Sequence, residues 1–138
     1  MGLDMYLYGN KYESFGKEPL VDSFPVERTI LKLAYWRKHS DLHGYLVKTF
    51  ANGVDDCREF ELYEDNLKQI IQDIKDDKLV PTTGFFFGAS ARPGDDGYEE
   101  QKQEDIDIFT RVLAWLEAGT TPGYITEGWR SVYYRASW

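Results

Sequence analysis

Leu3, Met5 and Leu7 alternate with Asp4, Tyr6 and Tyr8 at the start of the chain, the two-residue period of a strand with one buried face. Thr29 to Arg37 alternates again, with Leu31, Leu33 and Tyr35 on one side and Ile30, Ala34 and Trp36 on the other. Both sides are apolar, which predicts a central strand. Between these two stretches, Lys11 to Pro25 contains Gly16, Pro19 and Pro25 without helical spacing and predicts a loop or lid. A helix follows, capped by Ser40 or Asp41, with Leu42, Leu46, Val47 and Phe50 as its apolar stripe and Asn52-Gly53 as its end. Leu67, Ile70, Ile71 and Ile74 mark a second amphipathic helix that stops before Pro81. Ile106, Phe109, Val112, Leu113 and Leu116 mark a third within Tyr98 to Ala118, closed by Gly119 with Pro122 beyond it. A short strand fits Cys57 to Leu62, and a last strand fits Trp129 to Ser137, with Val132, Tyr134 and Ala136 on one face. Gly84 to Gly88, with Phe85, Phe86 and Phe87 between the glycines, predicts a buried strand or pocket wall, and Arg92 to Gly97 an acidic turn-rich loop. No fixed-period repeat appears, so the pattern predicts one α+β domain over residues 1–138, with a mixed, largely antiparallel sheet and about three helices.

Composition narrows the function classes. With 42% hydrophobic and 29% charged residues the 138-residue chain is globular in composition, and no apolar run reaches the length of a membrane span. The Met1-Gly2-Leu3-Asp4 start lacks a basic region, an apolar signal segment and a myristoylation pattern, so a cytoplasmic location is expected and a membrane partner is not. Cys57 stands alone, which excludes an intrachain disulfide and leaves any metal site to other ligands. The net charge of -8 repels nucleic acid and anionic membranes at long range, so duplex binding lacks its main driving force. A phosphorylated ligand needs a local positive island. The aromatic content of 16%, led by ten Tyr, supplies either core rings or stacking platforms.

The densest basic cluster, Arg37-Lys38-His39, lies directly before a capped helix, where a guanidinium, an ammonium and free backbone N–H groups together suit an anion. Tyr35 and Trp36 alternate, so only one of them shares the face of a ligand and the other is core. His39 and His43 lie four apart, and Asp55-Asp56 offers carboxylates, a weak metal pattern without His-Glu-x-x-His or a Cys pair. There is neither a Gly-x-Ser-x-Gly elbow nor a Walker loop. These absences favour binding over turnover, with no catalytic residue and no cofactor assigned. Arg58, beside Asp55-Asp56-Cys57, is a further candidate ligand contact. The stretch Pro81 to Ser90 combines Thr82, Thr83 and Ser90 hydroxyls with phenylalanine rings between glycines, a mixture suited to a base and its phosphate.

Gly2-Leu3-Asp4-Met5-Tyr6-Leu7-Tyr8, Ala34-Tyr35-Trp36-Arg37-Lys38, Asp55-Asp56-Cys57-Arg58-Glu59, Thr83-Gly84-Phe85-Phe86-Phe87-Gly88 and Ala136-Ser137-Trp138 resemble the signature blocks of a widespread family of small proteins encoded by tailed phages and prophages. The blocks run from one end of the chain to the other. The family is similar in size, acidity and phage setting to anti-CBASS sponge proteins, oligomers that sequester cyclic nucleotide alarm signals made by the host. The resemblance implies a phage anti-defence protein of the host cytoplasm, a homo-oligomer (dimer or tetramer), that holds a cyclic nucleotide such as 3′,3′-cyclic GMP-AMP without cleaving it. On that reading Trp36 and Phe86 or Phe87 stack on bases, and Arg37, Lys38 and Arg58 hold phosphates. Thr82, Thr83 and Ser90 close hydrogen bonds, and His43 completes the binding set. The alternatives are a small metal-dependent phosphodiester hydrolase built on His39, His43, Asp55 and Asp56, and a protein-binding inhibitor of a host factor.

Overall fold

The computed structural model describes residues 2–14, 16–84, 88–119 and 129–138. The first strand, β1 (Asp4–Tyr12), buries Met5 and Leu7 completely, and Leu3 just before it is equally buried, as their alternation requires. It pairs antiparallel with β4 (Arg28–Arg37) on one side and β6 (Arg130–Ser137) on the other. The three-residue β5 (Phe60–Leu62) completes a sheet of order β4-β1-β6-β5, all of it antiparallel. The class is α+β, as the pattern predicts.

Within this sheet β4 is an edge, not the central strand its two apolar sides suggest. The physical reason is a β-bulge: Leu7 pairs with Ala34 but Tyr8 pairs with Lys32, so Leu33 is an extra residue. Leu33 and Ala34 consequently both pack on the core, and the alternation reverses there. Trp36 turns inward while Tyr35 turns outward.

The predicted loop before β4 is largely an arm. Hydrogen bonding continues past β1 through Glu13 N–H to Glu27 C=O at 3.0 Å, and β2 (Leu20–Val21) and β3 (Phe24–Pro25) form its hairpin. Asp22 and Ser23 turn the hairpin with positive φ of 51° and 72°, the primed geometry that follows the strand twist.

Helices α1 (Ser40–Phe50), α2 (Glu64–Lys75) and α3 (Tyr98–Ala118) bury their stripes on one face of the sheet. Leu42, Leu46, Leu67, Ile70, Ile74, Phe109 and Val112 meet Leu3, Met5, Leu7, Val132 and Tyr134 there. Two glycines permit close approach. A side-chain carbon at Gly9 would lie 2.7 Å from the Trp115 ring, which lies over β1 at that point. A side chain at Gly44, inside α1, would overlap Thr82. Among the described residues no helix is long and apolar enough to cross a membrane.

Candidate functional site

At the end of β4 the chain leaves the sheet through Lys38, held at φ +57° with its N–H bonded to Leu3 C=O at 2.7 Å, and enters α1. This junction separates the side chains that the sequence groups together. Trp36 is 5% exposed, stacks on Phe109 at 5.5 Å and donates its Nε1–H to Asp105 Oδ1 at 2.9 Å. It is a core ring and offers no face to a ligand, which corrects the stacking role expected of it. Arg37 and Lys38 are exposed. Arg37 lies opposite Asp4 in the β1–β4 register, next to the outward Tyr35, while the Lys38 stem lies against Gly88.

The N-terminus of α1 is not vacant. Its N-cap residue, His39, makes no cap of its own, and the Asp41 N–H instead donates to Ser90 Oγ at 2.9 Å, from 49 residues further along the chain. Ser90 Oγ also meets His39 Nδ1 at 2.7 Å, while His39 Nε2 lies 2.7 Å from Asp105 Oδ2. A carboxylate only accepts, so His39 donates from Nε2 to Asp105 and turns Nδ1 to the Ser90 hydroxyl. Gln101 donates to the other Asp105 oxygen at 2.8 Å. The Asp41 carboxylate accepts the Thr82 N–H at 2.8 Å and the Arg92 Nε–H at 3.1 Å. Serine, histidine and aspartate thus stand in the order of a nucleophilic triad. The same Ser90 hydroxyl accepts the Asp41 N–H at the first turn of α1, and the imidazole and Asp105 are both buried, so the row also fastens these elements together. It ties the segment carrying Ser90 to α1 and α3.

Of the remaining predicted residues, Thr82 is tied to Asp41 and donates its hydroxyl to Val80 C=O at 2.7 Å, and Thr83 is exposed beside it. Phe86 and Phe87 lie outside the described residues. His43 is 1% exposed, between Tyr134 Oη at 2.6 Å and Asp55 Oδ1 at 3.0 Å, with the Trp138 ring 5.5 Å away. Burial holds its pKa below the usual histidine value against the opposing pull of Asp55. The same burial pushes the Tyr134 hydroxyl well above the usual tyrosine range. With both ring nitrogens already bonded and 1% of its surface exposed, His43 is held as a structural partner of Tyr134 and Asp55. Arg58 lies with His43, Asp55 and Trp138 around a small surface concavity, exposed and forked onto Asp56 through its Nε at 2.7 Å. Each partner of that pair shifts the other, the carboxyl downward and the guanidinium upward.

His39 and His43 therefore serve separate carboxylates, Asp105 and Asp55, and do not converge as the hydrolase alternative requires. Among the described residues no group of three or more His, Cys, Asp or Glu side chains is placed to hold a metal ion. The larger groove, about 690 Å³ between β4 and α3, is walled by Glu100, Glu104 and Asp107 with Arg111, and repels an anion. The signal that sequence reading missed is Asp105, the carboxylate of a polar helix on which Trp36, His39 and Gln101 converge. Its apolar neighbours Ile106 and Phe109 show which side of the helix is buried, but not that an acid is buried with them.

No protein-family model, curated protein or solved structure matches the chain.

Proposed function

We propose that this protein binds and holds a cyclic nucleotide signal and releases it chemically unchanged, as a phage counter-defence protein does. The observation that carries the reading is the meeting of two sequence-distant blocks. Exposed Arg37 and Lys38 lie at the corner where the segment bearing Gly88 and Ser90 lands on α1, in a chain of net charge -8. The hydroxyl and carboxylate groups beneath that corner are already satisfied, so the support is rigid before a ligand arrives, which limits the ordering penalty on binding. Phosphate capture rests on side-chain cations, because Ser90 already occupies the Asp41 N–H of the first helical turn.

A homo-oligomer belongs to the same reading. Leu20, Val21 and Phe24 on the hairpin arm are 58–73% exposed, an apolar tip suited to burial against a second copy.

Isothermal titration calorimetry with 3′,3′-cyclic GMP-AMP and other cyclic dinucleotides tests the proposal, followed by chromatography of the recovered ligand. Saturable heat with intact ligand is expected. Absence of heat with every cyclic dinucleotide, or a new product peak, rejects it.

A further inference from the structure

The side chains best suited to bases and phosphates lie on the sheet face opposite the helices. Side chains alternate across each strand, so β1 places Tyr6, Tyr8 and Asn10 on that face, β4 places Arg28, Ile30, Lys32, Tyr35 and Arg37 there, and β6 adds Tyr133 and Arg135. The bulge at Leu33 brings Lys32 and Tyr35 to the same side although they are three residues apart. Tyr35, Tyr6 and Tyr8 form a row, with centroids 5.2 Å apart for the first pair and 5.5 Å for the second, the latter nearly parallel at 12°. The Lys32 ammonium lies 5.9 Å from the Tyr6 ring and 5.8 Å from the Tyr35 ring.

Tyr8, at the end of this row, lines an open surface pocket of about 280 Å³ together with Asn10, Arg28, Ile30, Tyr133 and Arg135. Two guanidiniums face it against one carboxylate, that of Glu59. Among the described residues, Arg28, Lys32, Arg37 and Arg135 make no ion pair, although Asp and Glu outnumber Lys and Arg by 24 to 16. Arg28 is held instead by Tyr12, donating to its hydroxyl at 3.2 Å. Rings in a row, an amide for a base edge, an aliphatic side chain and unpaired guanidiniums are the parts of a nucleotide site.

We infer that this cavity is a nucleobase pocket: one base continues the tyrosine row by stacking on Tyr8, and its phosphate is held by Arg135 and Arg28. The inference rests on the nucleotide reading and deepens it, moving one base from Trp36 to Tyr8 and that unit's phosphate from the Arg37–Lys38 corner to Arg135 and Arg28. Size and charge both select a small ligand. The volume lies just below the usual range for small-molecule sites, roughly 300–1,000 Å³, so it holds one nucleotide unit of a cyclic dinucleotide. A polynucleotide would bring further phosphates against the acidic remainder of the molecule.

Two probes separate this inference from the broader reading. In an amide NMR titration of the full chain with GMP, shifts are expected at Tyr8, Asn10, Tyr133 and Arg135. In calorimetry with 3′,3′-cyclic GMP-AMP, Arg135→Glu, at an exposed position, is expected to weaken binding by about tenfold or more, as is Tyr8→Ala. GMP shifts at the pocket without cyclic dinucleotide binding support the pocket and reject the sponge. Cyclic dinucleotide binding that Arg135→Glu and Tyr8→Ala leave within twofold of the parent, or the absence of GMP shifts on this face, overturns the pocket.

Discussion

Replacing Asp105 with alanine removes the single carboxylate that Trp36, His39 and Gln101 share. All three contacts lie between 2.7 and 2.9 Å, and the side chain is 1% exposed, so water does not replace them. Leaving the buried Trp36 N–H without an acceptor costs about 1–3 kcal/mol by itself. His39 Nε2 loses the same acceptor, so two buried donors are orphaned and the expected destabilisation is about 2–6 kcal/mol. A 138-residue domain has a total stability of about 7–20 kcal/mol, so the variant loses a sizeable fraction of it. Asp105→Asn is different in kind. Its carbonyl still accepts from Trp36 and Gln101, and its amide donates to His39 Nε2 once the imidazole proton moves to Nδ1, where Ser90 Oγ accepts it. The expected loss is about 1 kcal/mol. Urea unfolding followed by tryptophan fluorescence measures both variants on one scale. If Asp105→Ala falls within about 0.5 kcal/mol of the parent, or Asp105→Asn is as damaging as Asp105→Ala, the hub argument is wrong.

Ser90→Ala removes the cap on the Asp41 N–H and should cost about 1–2 kcal/mol, with faster hydrogen exchange at that amide than at the helix centre. Gly44→Ala, which raises helix propensity by about 1 kcal/mol, should instead destabilise by about 1–3 kcal/mol through overlap with Thr82. Thr82→Gly in the same chain should recover part of that loss in thermal unfolding. Burial lowers the His43 pKa, so as pH falls through the ordinary histidine range the unfolded chain takes up its proton before the folded one does. Stability from this group is therefore complete above the unfolded pKa and declines on acidification, by at most about 1.4 kcal/mol per pH unit. Urea midpoints at pH 7.5 and 5.5 should differ less in His43→Gln than in the parent.

Local pattern alone determined much of this molecule. The alternation of Leu3, Met5 and Leu7 and the helical stripes through Leu42, Leu67 and Phe109 placed strand and helices, because burial of one face imposes a period of 2 or 3.6 whatever the neighbours are. Arg37 and Lys38 were legible as exposed cations for the same reason of polarity. The hairpin arm was missed because its turn depends on Asp22 and Ser23 taking positive φ, which neither residue announces as glycine does. Tertiary structure alone decided which ring faces outward: one extra residue at Leu33 reversed the alternation, sending Trp36 into the core and Tyr35 to the surface. It also decided the partners of His39, His43 and Ser90, since Asp105 and Tyr134 reach the histidines from 66 and 91 residues away and Ser90 reaches the helix from 49. Periodicity records which side of an element is apolar. Which polar groups meet beneath that side depends on how strands and helices close on one another, and no local pattern contains that.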